Sequence, residues 1–86
     1  MKIEISLFGA LRECEPDARL QLELADDSGV AGLRAALAAH AQSQWPAPRA
    51  GLLGKCALAD ERSILRDGDA LPVDGRVAVL PPVSGG

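Results

Sequence analysis

The chain has 86 residues, 48% of them apolar, and a formal charge of −3 at pH 7: enough for one packed domain and too little for a separate catalytic one. Its basic residues are scattered from Lys2 to Arg76, without the basic stripe that nucleic-acid binding needs, so no nucleic-acid partner is expected. No apolar run approaches the ~20 residues of a membrane span, and the N-terminus lacks a signal peptide's continuous apolar segment, so the expectation is a cytoplasmic protein with no membrane contact.

Lys2 to Leu7 alternate strictly, with Ile3, Ile5 and Leu7 on one face and Lys2, Glu4 and Ser6 on the other, the pattern of a half-buried strand. Gly9 ends that run. Ala10 to Glu13 can wind one short turn before Glu15-Pro16-Asp17 turns the chain back. Leu20, Leu22 and Leu24 again take every other position, so a second strand pairs with the first as a hairpin-like unit. Asp26, Asp27 and Ser28 offer capping oxygens to a helix from about Ser28 to about Ala41, in which Val30, Leu33 and Leu37 recur at helical spacing. Alanines at 31, 35, 36, 38 and 39 favour helicity and close approach to a sheet.

Gln42 to Ala50, with Trp45-Pro46-Ala47-Pro48, reads as a loop in which Trp45 covers an edge of the core. A third strand is expected over Lys55 to Leu58. A short one at Ser63-Ile64-Leu65 lies between the turns Asp60-Glu61-Arg62 and Arg66-Asp67-Gly68-Asp69. After a further Asp74-Gly75 turn, Val77 to Leu80 are apolar at four successive positions, which predicts a central strand buried on both faces. With the last strand beside the first, and Ile3, Ile5, Leu33, Leu37, Val77 and Val79 between sheet and helix, the class is α+β. The architecture is a β-grasp, or ubiquitin-like, mixed sheet with one main helix across it.

Within that frame few residues invite chemistry. Cys14 and Cys56 have no paired spacing and read as buried or half-buried thiols. His40, in the helix's last turn, complements the helix dipole. Asp67-Gly68-Asp69 lacks the further oxygen ligands of a calcium loop and reads as a turn, so no metal site is expected.

The chain's end is different. The sequence closes on Pro81-Pro82-Val83-Ser84-Gly85-Gly86, and a chance Gly-Gly end has a likelihood of only about 0.5% at average glycine usage. The prolines cannot continue a sheet ladder and favour extended backbone, which divides the chain into a domain at 1–80 and a projecting tail at 81–86. With no Cβ on Gly85 or Gly86, a narrow channel can close around bare main chain next to the terminal carboxylate. A carboxylate is a poor acyl donor, so using it requires activation, typically as a mixed anhydride with AMP, by a partner enzyme. Sulfur attack on that adenylate gives a thiocarboxylate on a movable tether, delivered at high effective concentration wherever the tail docks. Acid–base groups then belong to the partner, in keeping with the lack of a visible triad or carboxylate pair in this sequence.

Val77-Ala78-Val79-Leu80-Pro81-Pro82-Val83-Ser84-Gly85-Gly86 and Leu7-Phe8-Gly9-Ala10-Leu11-Arg12-Glu13 resemble two stretches of the small subunits of molybdopterin synthase, ubiquitin-like sulfur carriers of molybdenum cofactor biosynthesis. The resemblance covers nearly the whole chain. It implies that an E1-like enzyme adenylates Gly86 using ATP and that a sulfur donor converts it to the thiocarboxylate. It also implies that the tail enters a large synthase subunit, in a heterotetramer, where two sulfur transfers to cyclic pyranopterin monophosphate build the dithiolene. By the same resemblance Phe8, Arg12, Leu80, Pro81, Pro82, Val83 and Ser84 meet the partner, the chain is the non-catalytic subunit, and it holds no permanent cofactor. The alternatives are a carrier for thiamine synthesis or transfer-RNA thiolation, a protein modifier conjugated through Gly86, and a plain interaction domain.

Overall fold

The computed structural model describes residues 1–82 of the chain. Strand β1, Lys2–Leu7, pairs antiparallel with β2, Arg19–Glu23, setting Ile3 opposite Leu22 and Ile5 opposite Leu20. Helix α1, Gly29–Gln44, and a second helix α2, Ala47–Leu53, follow, then the short strands β3, Ala57–Ala59, and β4, Ile64–Leu65, and the last strand β5, Arg76–Leu80. The sheet order is β2-β1-β5-β3-β4, with β5 parallel to β1 and antiparallel to β3. This is the expected β-grasp: first and last strands lie side by side at the middle of a mixed sheet, and the main helix covers one face.

Strand alternation puts Ile3, Ile5, Leu7, Leu58, Leu65, Val77 and Val79 on the helix side. There they form one core with Val30, Leu33, Leu37 and Ala41 of α1, all buried. Leu11 joins it from a 3₁₀ segment, Gly9–Cys14, that follows β1. A second 3₁₀ segment, Pro16–Ala18, turns the chain into β2.

Four expectations need correction. Residues 42–50 are not a loop: α1 runs on to Gln44, Trp45 closes it with an N–H to the Ala41 carbonyl, and α2 starts immediately. Pro48 falls in the first turn of α2, where the missing N–H costs nothing, so a proline taken for a breaker is a helix start. The third strand begins two residues late, because Lys55 and Cys56 turn back to donate to Leu52 and Leu53 at the end of α2. No side-chain oxygen caps α1. Gly29, at φ +69°, swings the chain so that the Val30 N–H reaches the Asp69 carbonyl at 3.0 Å instead. Finally, β5 is central but fully buried on one face only: Val77 and Val79 are buried, and Ala78 and Leu80 remain half-buried on the other.

The Asp-Gly segments are turns, and their carboxylates explain why. Asp69 accepts from the Arg66 N–H at 2.8 Å and Asp74 from the Arg76 N–H at 3.0 Å. Asp67 is paired with Arg34 at 3.1 Å. Each acidic group is committed to holding backbone or helix in place.

Candidate functional site

Among the described residues no helix lies over the sheet face away from α1. Across it, register places Ile64 opposite Ala59, Ala59 opposite Ala78, and Ala78 opposite Ser6, while Ala57 faces Leu80. Phe8 continues the alternation of β1 in extended backbone, φ −129° and ψ 162°, so its ring falls on the same side as Ser6. Phe8 is 45% exposed and Ile64 54%. Small alanines flanked by exposed large apolar side chains make a flat apolar face on the surface, the property that marks interaction sites.

That face ends at the end of β5. Beyond Leu80, Pro81 is half-buried and Pro82 exposed. Pro81 lies so close to Gly9, itself at φ +61°, that a Cβ there would stand 2.6 Å from the Pro81 Cγ. The glycine therefore both makes the left-handed turn out of β1 and gives the proline its seat. Since β5 runs parallel to β1 at the centre of the sheet, Leu80 and Pro81 sit beside Phe8 and the start of the 3₁₀ segment that carries Arg12, which is exposed.

Of the residues singled out from sequence, Phe8, Leu80, Pro81, Pro82 and Arg12 are thus gathered at one end of one face. Val83, Ser84, Gly85 and Gly86 lie outside the described residues. Sequence reasoning missed Ala57, Ala59, Ala78 and Ile64. The apolar run Val77 to Leu80 signals Ala78 alone, on the outward face of β5, and Ala57, Ala59 and Ile64 join it only through strand register.

No thiol belongs to this end of the face. Cys56 is buried, its Sγ 3.4 Å from the Leu52 carbonyl, and burial pushes its pKa up, against the nearby Arg34 charge. Burial raises Cys14 as well, over the opposing effect of Arg49. Both are protonated, poorly nucleophilic groups at neutral pH. His40 is engaged elsewhere, with Nε2 2.8 Å from Glu15 Oε2. Among the described residues no group of His, Cys, Asp and Glu could hold a metal, and no helix is long and apolar enough to cross a membrane.

Residues 5–86 match the ThiS family. The chain belongs to that family. The ThiS-family chain is 35% identical over 86 residues to the molybdopterin synthase sulfur carrier subunit of Synechococcus elongatus, covering 98% of this chain and 96% of that protein. Its fold is similar to that of one chain in the complex of subunits 1 and 2 of the molybdopterin-converting factor from Helicobacter pylori 26695, with a TM-score of 0.65, 28% identity and full coverage of both chains. It is also similar to SAMP1 of Haloferax volcanii, with a TM-score of 0.70, full coverage and 22% identity, a likeness of fold alone. The resemblance read from the two sequence stretches therefore holds across the whole ThiS-family chain.

Proposed function

We propose that the chain is the sulfur carrier subunit of a molybdopterin synthase and works through the carboxylate of Gly86. An E1-like enzyme activates that carboxylate with ATP, forming the acyl adenylate and releasing pyrophosphate. Sulfur from a donor then displaces AMP at the carbonyl carbon and leaves a thiocarboxylate. The charged tail enters the large subunit, where the sulfur passes to cyclic pyranopterin monophosphate and the carboxylate is restored. Two rounds supply the dithiolene.

The observation that carries this reading is where β5 leads: the central strand delivers Pro81 and Pro82 to the rim of an apolar face, beside Phe8 and Gly9. A partner that covers Phe8, Leu80, Ala57, Ala78 and Ile64 receives the tail at the same time, which turns a two-body encounter into a local one. Gly85 and Gly86 then suit a narrow channel, and Pro81, Pro82, Val83 and Ser84 lead into it. The carrier subunit name of the 35% identical relative and the two-subunit complex of the 28% identical one support the same assignment.

Intact-mass measurement tests it. Protein co-expressed with its activating enzyme in sulfur-replete cells gains about 16 Da, sulfur for oxygen, on the C-terminal peptide. No gain under those conditions overturns the reading, and ladders of chain-conjugated proteins in its place favour a protein modifier.

A further inference from the structure

Glu15 stands between the two 3₁₀ segments, and neither the apolar face nor the tail accounts for its environment. Its side chain is only 14% exposed. One oxygen, Oε2, accepts from Trp45 Nε1 at 2.7 Å and is hydrogen-bonded to His40 Nε2 at 2.8 Å. Two residues earlier, Glu13 accepts from Arg49 of α2 at 3.3 Å. Carboxylates of the segment after Phe8 are thus strapped to the end of α1 and to α2. The same segment is anchored at its middle by buried Leu11 and abuts Pro81 at its start.

Immediately after the strap come Asp17 and Ala18, at φ 57° and 56°. Two successive left-handed residues that are not glycine persist only where both flanks are held. Glu15 holds one flank. The pairing of Arg19 with Ser6 holds the other. The strained turn in turn walls a groove of about 350 Å³ lined by Phe8, Gly9, Arg12, Asp17, Ala18 and Arg19 among others. Arg12 and Arg19 are exposed and carry no ion pair among the described residues.

We propose that Glu15 is a positioning residue for docking: through Trp45 and His40 it holds the strained turn that shapes the arginine-lined groove beside Phe8, which receives an acidic side chain of the partner as the apolar face is covered. The inference rests on the reading that this face docks a synthase large subunit. Glu15→Ala removes both hydrogen bonds and lets the left-handed pair relax. Glu15→Gln keeps one oxygen at the Oε2 position, able to accept from both Trp45 Nε1 and His40 Nε2.

The test combines amide NMR of the full chain with calorimetric binding to a purified molybdopterin synthase large subunit. Glu15→Ala is expected to move the resonances of Phe8 to Arg19, leave those of β3 and β5 in place, and weaken association about tenfold, a loss of about 1.4 kcal/mol. Glu15→Gln is expected to restore both readouts. Val30→Ala, a core truncation in α1 on the opposite side of the sheet, is expected to lose stability without losing affinity. The inference is overturned if Glu15→Ala binds as the parent chain does, or if Val30→Ala weakens binding equally. If the parent chain itself does not bind, the functional reading fails, and Phe8 to Arg19 resonances unmoved in Glu15→Ala overturn the positioning role by themselves.

Discussion

Gly75 occupies φ +70°, and a Cβ built on it would lie 2.6 Å from the Lys2 carbonyl oxygen. Its own carbonyl accepts from the Glu4 N–H at 2.7 Å, so the glycine joins the turn before β5 to the start of β1. Gly75→Ala must bear the left-handed penalty of about 1–2 kcal/mol and push apart two backbones that the sheet holds together. Urea unfolding should show a loss of at least that size. Ala18, at φ 56°, presents the opposite case: Ala18→Gly relieves strain and should raise the unfolding midpoint, offset in part by added freedom of the unfolded chain. The thiols give a pH dependence with a definite sign. Burial raises Cys56 above its ordinary value of 9.0, so the neutral thiol is favoured in the folded state. Its contribution to stability is complete below about pH 9 and is lost as pH rises through the raised value. Denaturant titrations between neutral and strongly alkaline pH should show that decline, and Cys56→Ala should flatten it while lowering stability at every pH.

At the scale of elements, β1, β2, β5 and the heart of α1 are legible in the sequence because each is amphipathic over local spacing: Ile3 with Ile5, Leu20 with Leu22, Val77 with Val79, Leu33 with Leu37. Helix α2 is not, because Pro46 and Pro48 signal a break unless the position of the first turn is already known. Nor is the outward row Ile64, Ala59 and Ala78, which exists only through the register of three short strands. The clasp of Glu15 with Trp45 and His40 spans 30 and 25 residues and leaves no local pattern at all. Trp45 shows what such a long-range contact contributes. It is 6% exposed, closes α1, and donates its indole N–H to a carboxylate that water hardly reaches. Trp45→Phe retains part of the apolar volume and removes the donor, at a cost of about 1–3 kcal/mol. Thermal unfolding should register the loss, and Glu15→Ala in the Trp45→Phe background should cost less than it does alone, since the two residues share one interaction.

Over the whole molecule, the core side of the sheet is complete without a partner. Among the described residues no buried side-chain nitrogen or oxygen lacks a hydrogen bond, and no polar or charged residue is fully buried. The apolar outer face therefore does not compensate for a defect of the domain, and changes on it should separate folding from association. Phe8, at 45% exposure, contributes modestly to the fold, where substitutions at such sites usually stay within about 0.5 kcal/mol. A large aromatic anchor buried under a partner is worth about 2 kcal/mol or more, some thirtyfold in affinity. Phe8→Asp adds the cost of placing an unpaired carboxylate under the partner. The expected result is an unfolding curve near that of the parent chain, together with at least a thirtyfold weaker complex with the large subunit and a matching loss of sulfur transfer at limiting carrier. Lys2→Gln removes a charge at the opposite end of β1, seven residues from the Gly9–Pro81 contact, without placing like charges opposite Glu23, and should leave both measurements nearly unchanged. If Phe8→Asp binds normally, or if Lys2→Gln is equally harmful, the partner covers some other part of the surface and the tail must reach it without help from this face.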